Sequence, residues 1–342
     1  MPYQIRQWED ISNDYHQETI VLGNGASIAV DRSFNYPSLL EHARDNGLMT
    51  NDVAKLFEFF DTEDFELVLR LVWHATTVNR SLEIPDERTR SAYRHVRDCL
   101  IQAVRDIHPD YSEVDNYLSR IREYLKGFDT VFSLNYDLIV YWAMTYVLDR
   151  RDGHAFKDCF KRGEFVDDWQ TYRELYDERE RSNTLVFYPH GSLALCRNMV
   201  DREFKIQSRE GDRLLETVLS AWRDGSRIPL FVSEGTKEQK ITSIQKSYYL
   251  STVFREVLTS RRTSLTIYGW GLGEHDRHLL QQMRNTGIQQ VAVSVYGNDQ
   301  NYCRHAEHVI HQDLGRNISV DFFDSQSPGC WINTQAADPF DF

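Results

Sequence analysis

Two polar side chains that can do chemistry at neutral pH stand just beyond short apolar runs of the sequence. Asn135 directly follows the run Thr130–Leu134, and His190 stands two residues after the run Thr184–Tyr188. An imidazole titrates near neutrality and is a common general base, a role that contributes ~10²–10⁴-fold to a rate. A side-chain amide can hold a sugar hydroxyl or position a water molecule. We therefore predict that Asn135 and His190 are catalytic. The alternative is a turn role for Asn135 and a structural role for His190.

Two glycine-rich segments also begin where apolar runs end. The first follows Thr19–Leu22, and the second follows Ser264–Tyr268. Glycine lets the chain turn sharply and approach a ligand, and the N–H groups that follow it can cradle a phosphate. An ordinary tight turn is the alternative. The ligand-binding residues predicted from these segments are Gly23, Asn24, Gly25, Ala26 and Ser27 in the first, and Gly269, Gly271 and Glu274 in the second.

Acidic side chains close to the same run ends are candidates to bind ribose hydroxyls. Asp137 stands two residues beyond Asn135, and Asp276 stands two residues beyond Glu274. A carboxylate in such a place either accepts a hydrogen bond from a sugar or caps the helix that follows it. We predict a ligand-binding role for Asp137, with the helix cap as an equal alternative. For Asp276 the helix cap is the favoured role.

The apolar runs themselves predict the fold class. Their near-continuous apolarity is typical of strands covered on both faces, as in a parallel sheet. Helical periodicities separate the runs, so the sequence predicts an α/β fold: a Rossmann-like parallel sheet of about six strands with helices on both faces. The carboxyl ends of such strands share one sheet edge, where ligands bind. The predicted strands are Thr19–Leu22, Thr130–Leu134, Thr184–Tyr188, Pro229–Val232, Ser264–Tyr268 and Val291–Tyr296, with Ile318–Phe323 as a seventh candidate.

The spacing of the runs predicts a single domain with a helical addition. About a hundred residues, mostly of helical pattern, separate the first run from the second, which is too long for one crossover. We predict one domain over residues 1–335, with a helical insertion or subdomain at about 36–126 and a loose tail at 336–342. A polar stretch at residues 150–181 is also predicted to be helical.

Composition limits the class of protein and its surroundings. The formal net charge of −13 repels nucleic acid and anionic membranes at long range. The five cysteines form no Cys-x-x-Cys pair, which argues against a zinc ribbon or a disulfide framework and fits a reducing compartment. No apolar run approaches the ~20 residues of a membrane helix. We predict a cytoplasmic protein with no bound metal, no membrane attachment and no direct nucleic-acid contact.

At these motifs the chain resembles the sirtuin superfamily, and specifically its bacterial sirtuin-like NAD⁺-hydrolase branch. Gly23–Ser27 stands where sirtuins carry a Gly-Ala-Gly-x-Ser phosphate loop, and Asn135 and Asp137 match their Gln-Asn-x-Asp motif. His190 with the glycine after it matches the catalytic His-Gly, and Gly269–Asp276 matches the later glycine loop. The chain is also similar to a bacterial and phage family that bears FSLNYD, FVSEGT and YGxxLGExD signatures.

The resemblance implies a single sirtuin-like NAD⁺-binding domain over residues 1–335, with NAD⁺ as the substrate. It further implies a NAD⁺ glycohydrolase that yields nicotinamide and ADP-ribose in antiphage defence, regulated by homo-oligomerisation or by a partner protein of the defence system. Protein deacylases of the superfamily have a four-cysteine zinc module, and this sequence has no such module. The alternatives are a non-catalytic module that senses NAD⁺ or another nucleotide, and a NAD⁺-dependent deacylase or ADP-ribosyltransferase.

Overall fold

A parallel β-sheet with helices around it forms the framework of the molecule. The computed structural model describes residues 2–36, 38–146, 153–175, 180–198, 200–208, 211–225, 227–232 and 235–334, and the predicted loose tail at 336–342 lies outside them. The strands are β1 (Ile5–Arg6), β2 (Thr19–Leu22), β3 (Thr130–Ser133), β4 (His154–Lys157), β5 (Phe160–Lys161), β6 (Glu164–Phe165), β7 (Ser182–Phe187), β8 (Gly191–Arg197), β9 (Glu203–Lys205), β10 (Ile228–Phe231), β11 (Ser264–Tyr268), β12 (Gln290–Val295) and β13 (Ser319–Asp324). The α-helices are α1 (Trp8–Tyr15), α2 (Asn24–Val30), α3 (Leu39–Asp45), α4 (Asn51–Phe59), α5 (Phe65–Ser81), α6 (Glu87–Ile107), α7 (Tyr111–Leu125), α8 (Ile139–Thr145), α9 (Leu214–Arg223), α10 (Lys237–Gln245), α11 (Tyr248–Thr252), α12 (Arg277–Gln282) and α13 (Gln300–Asp313).

The main sheet has eight strands in the order β1-β13-β12-β11-β2-β3-β7-β4, and each neighbouring pair runs parallel. The predicted α/β class with a Rossmann-like parallel sheet is therefore confirmed, with eight strands instead of about six. The two additional strands lie at the edges of the sheet. β1 has only two residues and β4 consists of half-buried residues, so neither produces the continuous apolar run of an interior strand.

The strand order reverses direction between β2 and β11. From β2 the chain adds β3 and β7 on one side, and it later adds β11, β12 and β13 on the other side. A crevice opens at such a reversal, because the loops that leave the two neighbouring strands turn toward opposite faces of the sheet. β2, β3 and β11 are buried along their whole lengths, so both faces of the sheet are covered at this point.

Helical structure alone connects β2 to β3 in the described residues 23–36 and 38–129. The side chain of Asp86 accepts a hydrogen bond from the N–H of Thr89 at the start of α6, and Asp110 forms a capping box at the start of α7. α6 then buries apolar residues at helical spacing, which packs it onto its neighbours. They include Tyr93, Val96, Leu100, Val104 and Ile107. None of the described helices is both long enough and apolar enough to cross a membrane.

A smaller antiparallel sheet, in the order β10-β8-β9, lies between β7 and β11 along the chain. The predicted strand at Pro229–Val232 forms β10 of this sheet, so its assignment to the main parallel sheet is wrong. The helical structure predicted for residues 150–181 is mostly wrong in the described part, which contains β4, the hairpin β5–β6 and only one short 3-10 helix, Trp169–Arg173. Arg162 and Gly163 join the hairpin with φ of +53° and +85°, the positive values that a two-residue turn requires.

Candidate functional site

A cleft with two lobes opens where the strand order reverses. The first lobe has a volume of about 390 Å³ and is lined by residues that follow β2, β3, β7 and β11. The second lobe has a volume of about 880 Å³ and extends toward residues that follow β12 and β13. Both volumes lie within the ~300–1,000 Å³ that small-molecule sites occupy. The lining residues that the lobes share are Gly25, Gly269, Trp270 and Gly271.

Two glycine loops pack backbone against backbone between the lobes. The N–H of Gly25 donates to the carbonyl oxygen of Gly269 at 2.7 Å. A Cβ on Gly23 would lie 2.5 Å from the Cα of Trp270, and a Cβ on Gly269 would lie only 2.3 Å from a backbone nitrogen. Gly269 also has a φ of +66°, which disfavours any other residue. These glycines are therefore required by the contact between the loops, independently of any ligand.

Gly271 and Gly273 differ from the packed glycines of the same cleft. A Cβ added to either residue would meet no atom within 4 Å. Gly271 lines both lobes. Its missing side chain therefore leaves open space beside a residue that borders both lobes.

A chain of hydrogen bonds links the loop after β2 to the loop after β3. Nδ2 of Asn135 donates to the carbonyl oxygen of Gly23 at 3.0 Å and to Oγ of Ser27 at 2.8 Å. The Ser27 hydroxyl donates to Oδ2 of Asp137, and Oδ1 of Asp137 accepts from the N–H of Ile139 at 2.9 Å. Burial raises the pKa of Asp137, and the hydrogen bond from Ser27 opposes that shift. Asn135 and Asp137 thus hold the two loops together and fix the start of α8.

His190 lies in the first lobe with only 4% of its surface exposed. The next residue, Gly191, has a φ of +79°, and a Cβ there would lie 2.3 Å from the carbonyl oxygen of Leu230. The carbonyl oxygen of His190 accepts from the N–H of Val232 at 2.7 Å, which fixes its backbone against the small sheet. Burial lowers the pKa of His190 to about 3, and the Asp276 carboxylate acts in the opposite direction. The imidazole is therefore neutral at pH 7 and can accept a proton.

Lys240 contacts Asp276, and His278 contacts His190, although neither Lys240 nor His278 was predicted from the sequence. Oδ1 of Asp276 accepts from Nζ of Lys240 at 2.7 Å and lies 3.8 Å from Nε2 of His190. Asp276 stands at the N-cap position of α12 but makes no capping hydrogen bond, so its predicted role as a helix cap is wrong. Lys240 could have been found from the sequence. It stands four residues before the buried Ile244 in α10, so the two side chains share one face of the helix and a cation falls at a core position.

The second lobe offers an aromatic ring, a cation and several polar groups. Tyr296 lines this lobe with 73% of its surface exposed, and Arg32 adds a guanidinium group. The Tyr302 hydroxyl donates to the carbonyl oxygen of Trp270 at 2.6 Å, which supports the wall between the lobes. Aromatic rings stack on bases, and guanidinium groups bind phosphates. Further polar lining residues are Asn35, Ser294, Asp299, Ser325, Gln326 and Asn333.

Most of the residues predicted to form the site line the cleft. They are Gly23, Asn24, Gly25, Asn135, Asp137, His190, Gly269 and Gly271. Ala26 and Ser27 are buried behind this lining, and Glu274 is exposed and lines neither lobe. Contact of any of these residues with a ligand stays a prediction. Within the described ranges, no group of three or more His, Cys, Asp or Glu is arranged to hold a metal ion.

The fold and the cleft define a doubly wound α/β protein with a crevice at the reversal of its strand order. The chain belongs to the family described as Domain of unknown function (DUF4917), whose family model matches residues 20–331. No curated protein matches its sequence. Among solved structures it is similar to a chain from work titled "Structural Basis for the Mechanism and Regulation of Sir2 Enzymes", with 8% identity, a TM-score of 0.33 and coverage of 84% of this chain and 85% of that chain.

Proposed function

We propose that the two lobes bind NAD⁺ and that the protein hydrolyses it to nicotinamide and ADP-ribose. The observation that carries this proposal is the position of His190, a neutral imidazole in the smaller lobe. The larger lobe supplies the exposed ring of Tyr296 and the guanidinium of Arg32 for the adenosine half. The nicotinamide ribose then occupies the first lobe, and the pyrophosphate crosses the open space beside Gly271.

The proposed reaction needs a base more than it needs an acid. The nicotinamide leaving group is already cationic, so its bond to ribose C1′ breaks without protonation, through an oxocarbenium-like state. His190 accepts a proton from a ribose hydroxyl or from the attacking water and becomes an imidazolium. The Asp276 carboxylate, 3.8 Å from Nε2 of His190, offsets the positive charge. Positioning of the sugar between the two glycine loops supplies much of the remaining rate acceleration.

Asn135 contributes to the proposed function as a positioning residue. Its amide nitrogen already donates to Gly23 and Ser27, so it maintains the loop after β2. That loop forms the wall between the two lobes. Asn135→Ala is therefore expected to weaken NAD⁺ binding as well as turnover.

Incubation of the purified chain with NAD⁺, followed by chromatography of the products, tests the proposed activity. We expect nicotinamide and ADP-ribose in equal amounts, and a loss of ~10²–10⁴-fold in rate for His190→Ala, the usual contribution of a general base. His311→Ala is the matched control. His311 lies in α13, with Nε2 3.1 Å from the carbonyl oxygen of Ile318, and lines neither lobe. Equal rates for wild type and His190→Ala would contradict the proposal.

A non-catalytic module that senses NAD⁺ or a related nucleotide is the second candidate. Two observations favour it. The pKa of His190, lowered by burial to about 3, lies far below the neutral range in which a general base works best. The amide nitrogen of Asn135 also donates its hydrogen bonds to Gly23 and Ser27, and so not to a ligand. Saturable binding of NAD⁺ in calorimetry without release of nicotinamide would support this candidate, and absence of binding would contradict both.

We propose the bacterial cytoplasm during phage infection as the setting, on the strength of the motif resemblance. The five cysteines are all free and buried thiols, which fits a reducing compartment. Unregulated hydrolysis would deplete the NAD⁺ of the host cell, so the proposal includes control by a second copy of the chain or by a partner protein. Comparison of phage plating on cells that express the wild type or His190→Ala tests this setting. Equal plating would contradict it.

A further inference from the structure

A sheltered ion pair forms part of the wall of the first lobe. Nζ of Lys240 donates to Oδ1 of Asp276 at 2.7 Å, and both residues line this lobe but not the second. The side chain of Lys240 is 7% exposed and that of Asp276 is 28% exposed. Lys240 belongs to α10, whereas Asp276 stands directly before α12, so the pair joins two separate elements at the cleft. Salt screens a partly buried pair much less than a surface pair, so its charges act strongly on a group in the lobe.

The ion pair keeps hydrogen-bonding capacity that the protein does not use. An ammonium group has three N–H donors, and a carboxylate has two acceptor oxygens. Within the described residues, Oδ1 of Asp276 is the one partner of Nζ of Lys240, and Oδ2 accepts no hydrogen bond. Oδ2 is also not one of the buried polar atoms without a partner in those residues, so solvent reaches it. A donor group and an acceptor atom are therefore available next to each other in the wall of the lobe.

The other carboxylate in the described lining of this lobe is already engaged by the protein. The oxygens of Asp137 accept from the hydroxyl of Ser27 and from the N–H of Ile139. The amide nitrogen of Asn135 likewise donates within the protein. Of the two carboxylates that line the lobe, Asp276 is thus the one with an oxygen free of intramolecular hydrogen bonds.

We propose that Lys240 and Asp276 together bind a primary carboxamide, and so make the first lobe specific for the nicotinamide ring of NAD⁺. This inference rests on the proposed binding of NAD⁺ in the cleft. A carboxamide carries one carbonyl acceptor and one NH₂ donor on the same carbon. The carbonyl oxygen accepts from Nζ of Lys240, and the NH₂ group donates to Oδ2 of Asp276. The ring is then held in the same lobe as the sugar that the proposed function places there.

The same pair should reject a ring that carries a carboxylate. A carboxylate has no N–H to donate, so it leaves Oδ2 of Asp276 unpaired and brings a second negative charge against it. Attraction from Lys240 compensates only in part, because Asp276 already neutralises that ammonium group at 2.7 Å. Loss of a charge-assisted hydrogen bond, together with this repulsion, should weaken binding by ~10–100-fold.

Three dinucleotides that differ only in the ring substituent test the proposal without any change to the ion pair. Calorimetry at pH 8 uses His190→Ala, whose low expected turnover preserves the ligands. NAD⁺ should bind ~10–100-fold more tightly than nicotinic acid adenine dinucleotide, whose ring carries a carboxylate. The acetylpyridine analogue keeps the carbonyl oxygen but has no NH₂ group, so its affinity should lie between the two. Equal affinities, or tighter binding of the carboxylate analogue, would overturn the proposal.

Two substitutions in the pair, each made in the same His190→Ala protein, should change this discrimination in opposite directions. Asp276→Asn removes the negative charge and offers an NH₂ group to a carboxylate, so the preference for NAD⁺ should largely disappear. Lys240→Met leaves the Asp276 charge uncompensated, so the preference should increase. A purely structural role would lower all affinities alike and leave their ratio unchanged. A ratio that is unchanged in both variants, or that moves in the same direction in both, would overturn the proposal.

Asp313→Asn is the matched control for these variants. Asp313 is a buried carboxylate that pairs with Arg277 at 2.7 Å and lines neither lobe, so its loss should leave the affinity ratio unchanged. ADP-ribose, which has no nicotinamide ring, separates failure of this inference from failure of the proposed function. Binding of ADP-ribose and of NAD⁺ without discrimination between ring substituents would overturn this inference alone. Absence of binding by both would overturn the proposed function and this inference with it.

Discussion

Replacement of Gly269 by alanine should destabilise the protein strongly, whereas the same change at Gly271 should not. Gly269 has a φ of +66°, and its added Cβ would lie 2.3 Å from the backbone nitrogen of Ala26 and 3.0 Å from the Cα of Gly25. Backbone atoms cannot rotate away as a flexible side chain does. Gly271 is outside the left-handed region and has open space around the added Cβ. The two variants thus make the same chemical change two residues apart in one loop.

The magnitude for Gly269→Ala follows from two separate costs. A left-handed alanine costs ~1–2 kcal/mol, and forcing an extra carbon into a packed contact costs ~1–3 kcal/mol. Their sum of ~2–5 kcal/mol is a large share of the ~5–15 kcal/mol by which proteins are stable. Gly271→Ala restricts the unfolded chain and should stabilise by ~0.4–1 kcal/mol. Its methyl group should also fill part of the open space beside Gly271 and weaken the proposed binding of NAD⁺.

Urea unfolding followed by tryptophan fluorescence measures both effects. We expect a lower midpoint for Gly269→Ala with an unchanged m-value, and a midpoint equal to or above that of wild type for Gly271→Ala. Calorimetry with NAD⁺ then measures the loss of affinity in the folded Gly271→Ala variant. If the free energy of unfolding of Gly269→Ala lies within ~0.5 kcal/mol of wild type, the backbone contact between the two glycine loops is not as described.

Two further substitutions test buried polar groups, Asp64 and Ser27. Burial raises the pKa of Asp64 to about 7 in the folded protein. The pKa of an aspartate in the unfolded chain is ~3.9. Between pH ~4 and about 7 the unfolded chain therefore loses the Asp64 proton before the folded protein does, which lowers the free energy of unfolding. The loss is up to ~4 kcal/mol, at 1.36 kcal/mol for each unit of pKa difference. Asp64→Asn keeps the acceptor for the N–H of Leu67. In guanidinium unfolding, the variant should have the same free energy of unfolding as wild type near pH 4 and a higher one at pH 8. Equal stability of the two proteins at both pH values would contradict the buried charge. Ser27→Ala removes the hydroxyl between Asn135 and Asp137 and should cost ~1–3 kcal/mol, which thermal unfolding would reveal and an unchanged melting temperature would contradict.

The central strands and part of the cleft lining could be predicted from the sequence alone. β2 and β11 occupy the predicted runs Thr19–Leu22 and Ser264–Tyr268 without a shift at either end. Unbroken apolar segments of this length are stable only when buried, and the helices between them require a parallel sheet. Because parallel strands end at one edge, Asn135 and His190 were predicted to lie near each other, and both line the first lobe.

Other features were decided only by the tertiary structure. β8 pairs with β10, which comes from a later segment of the chain. A local sequence pattern therefore could not show that these two strands form a sheet of their own. Gly269 needs to be glycine because Ala26 lies against it, and the ring of His190 meets that of His278 at 3.4 Å although 88 positions separate them in the sequence. Such contacts join residues that are far apart along the chain. The periodicity of a sequence reports which face of a strand or helix is buried, whereas the side chain or backbone atom that meets it there depends on how the whole chain packs.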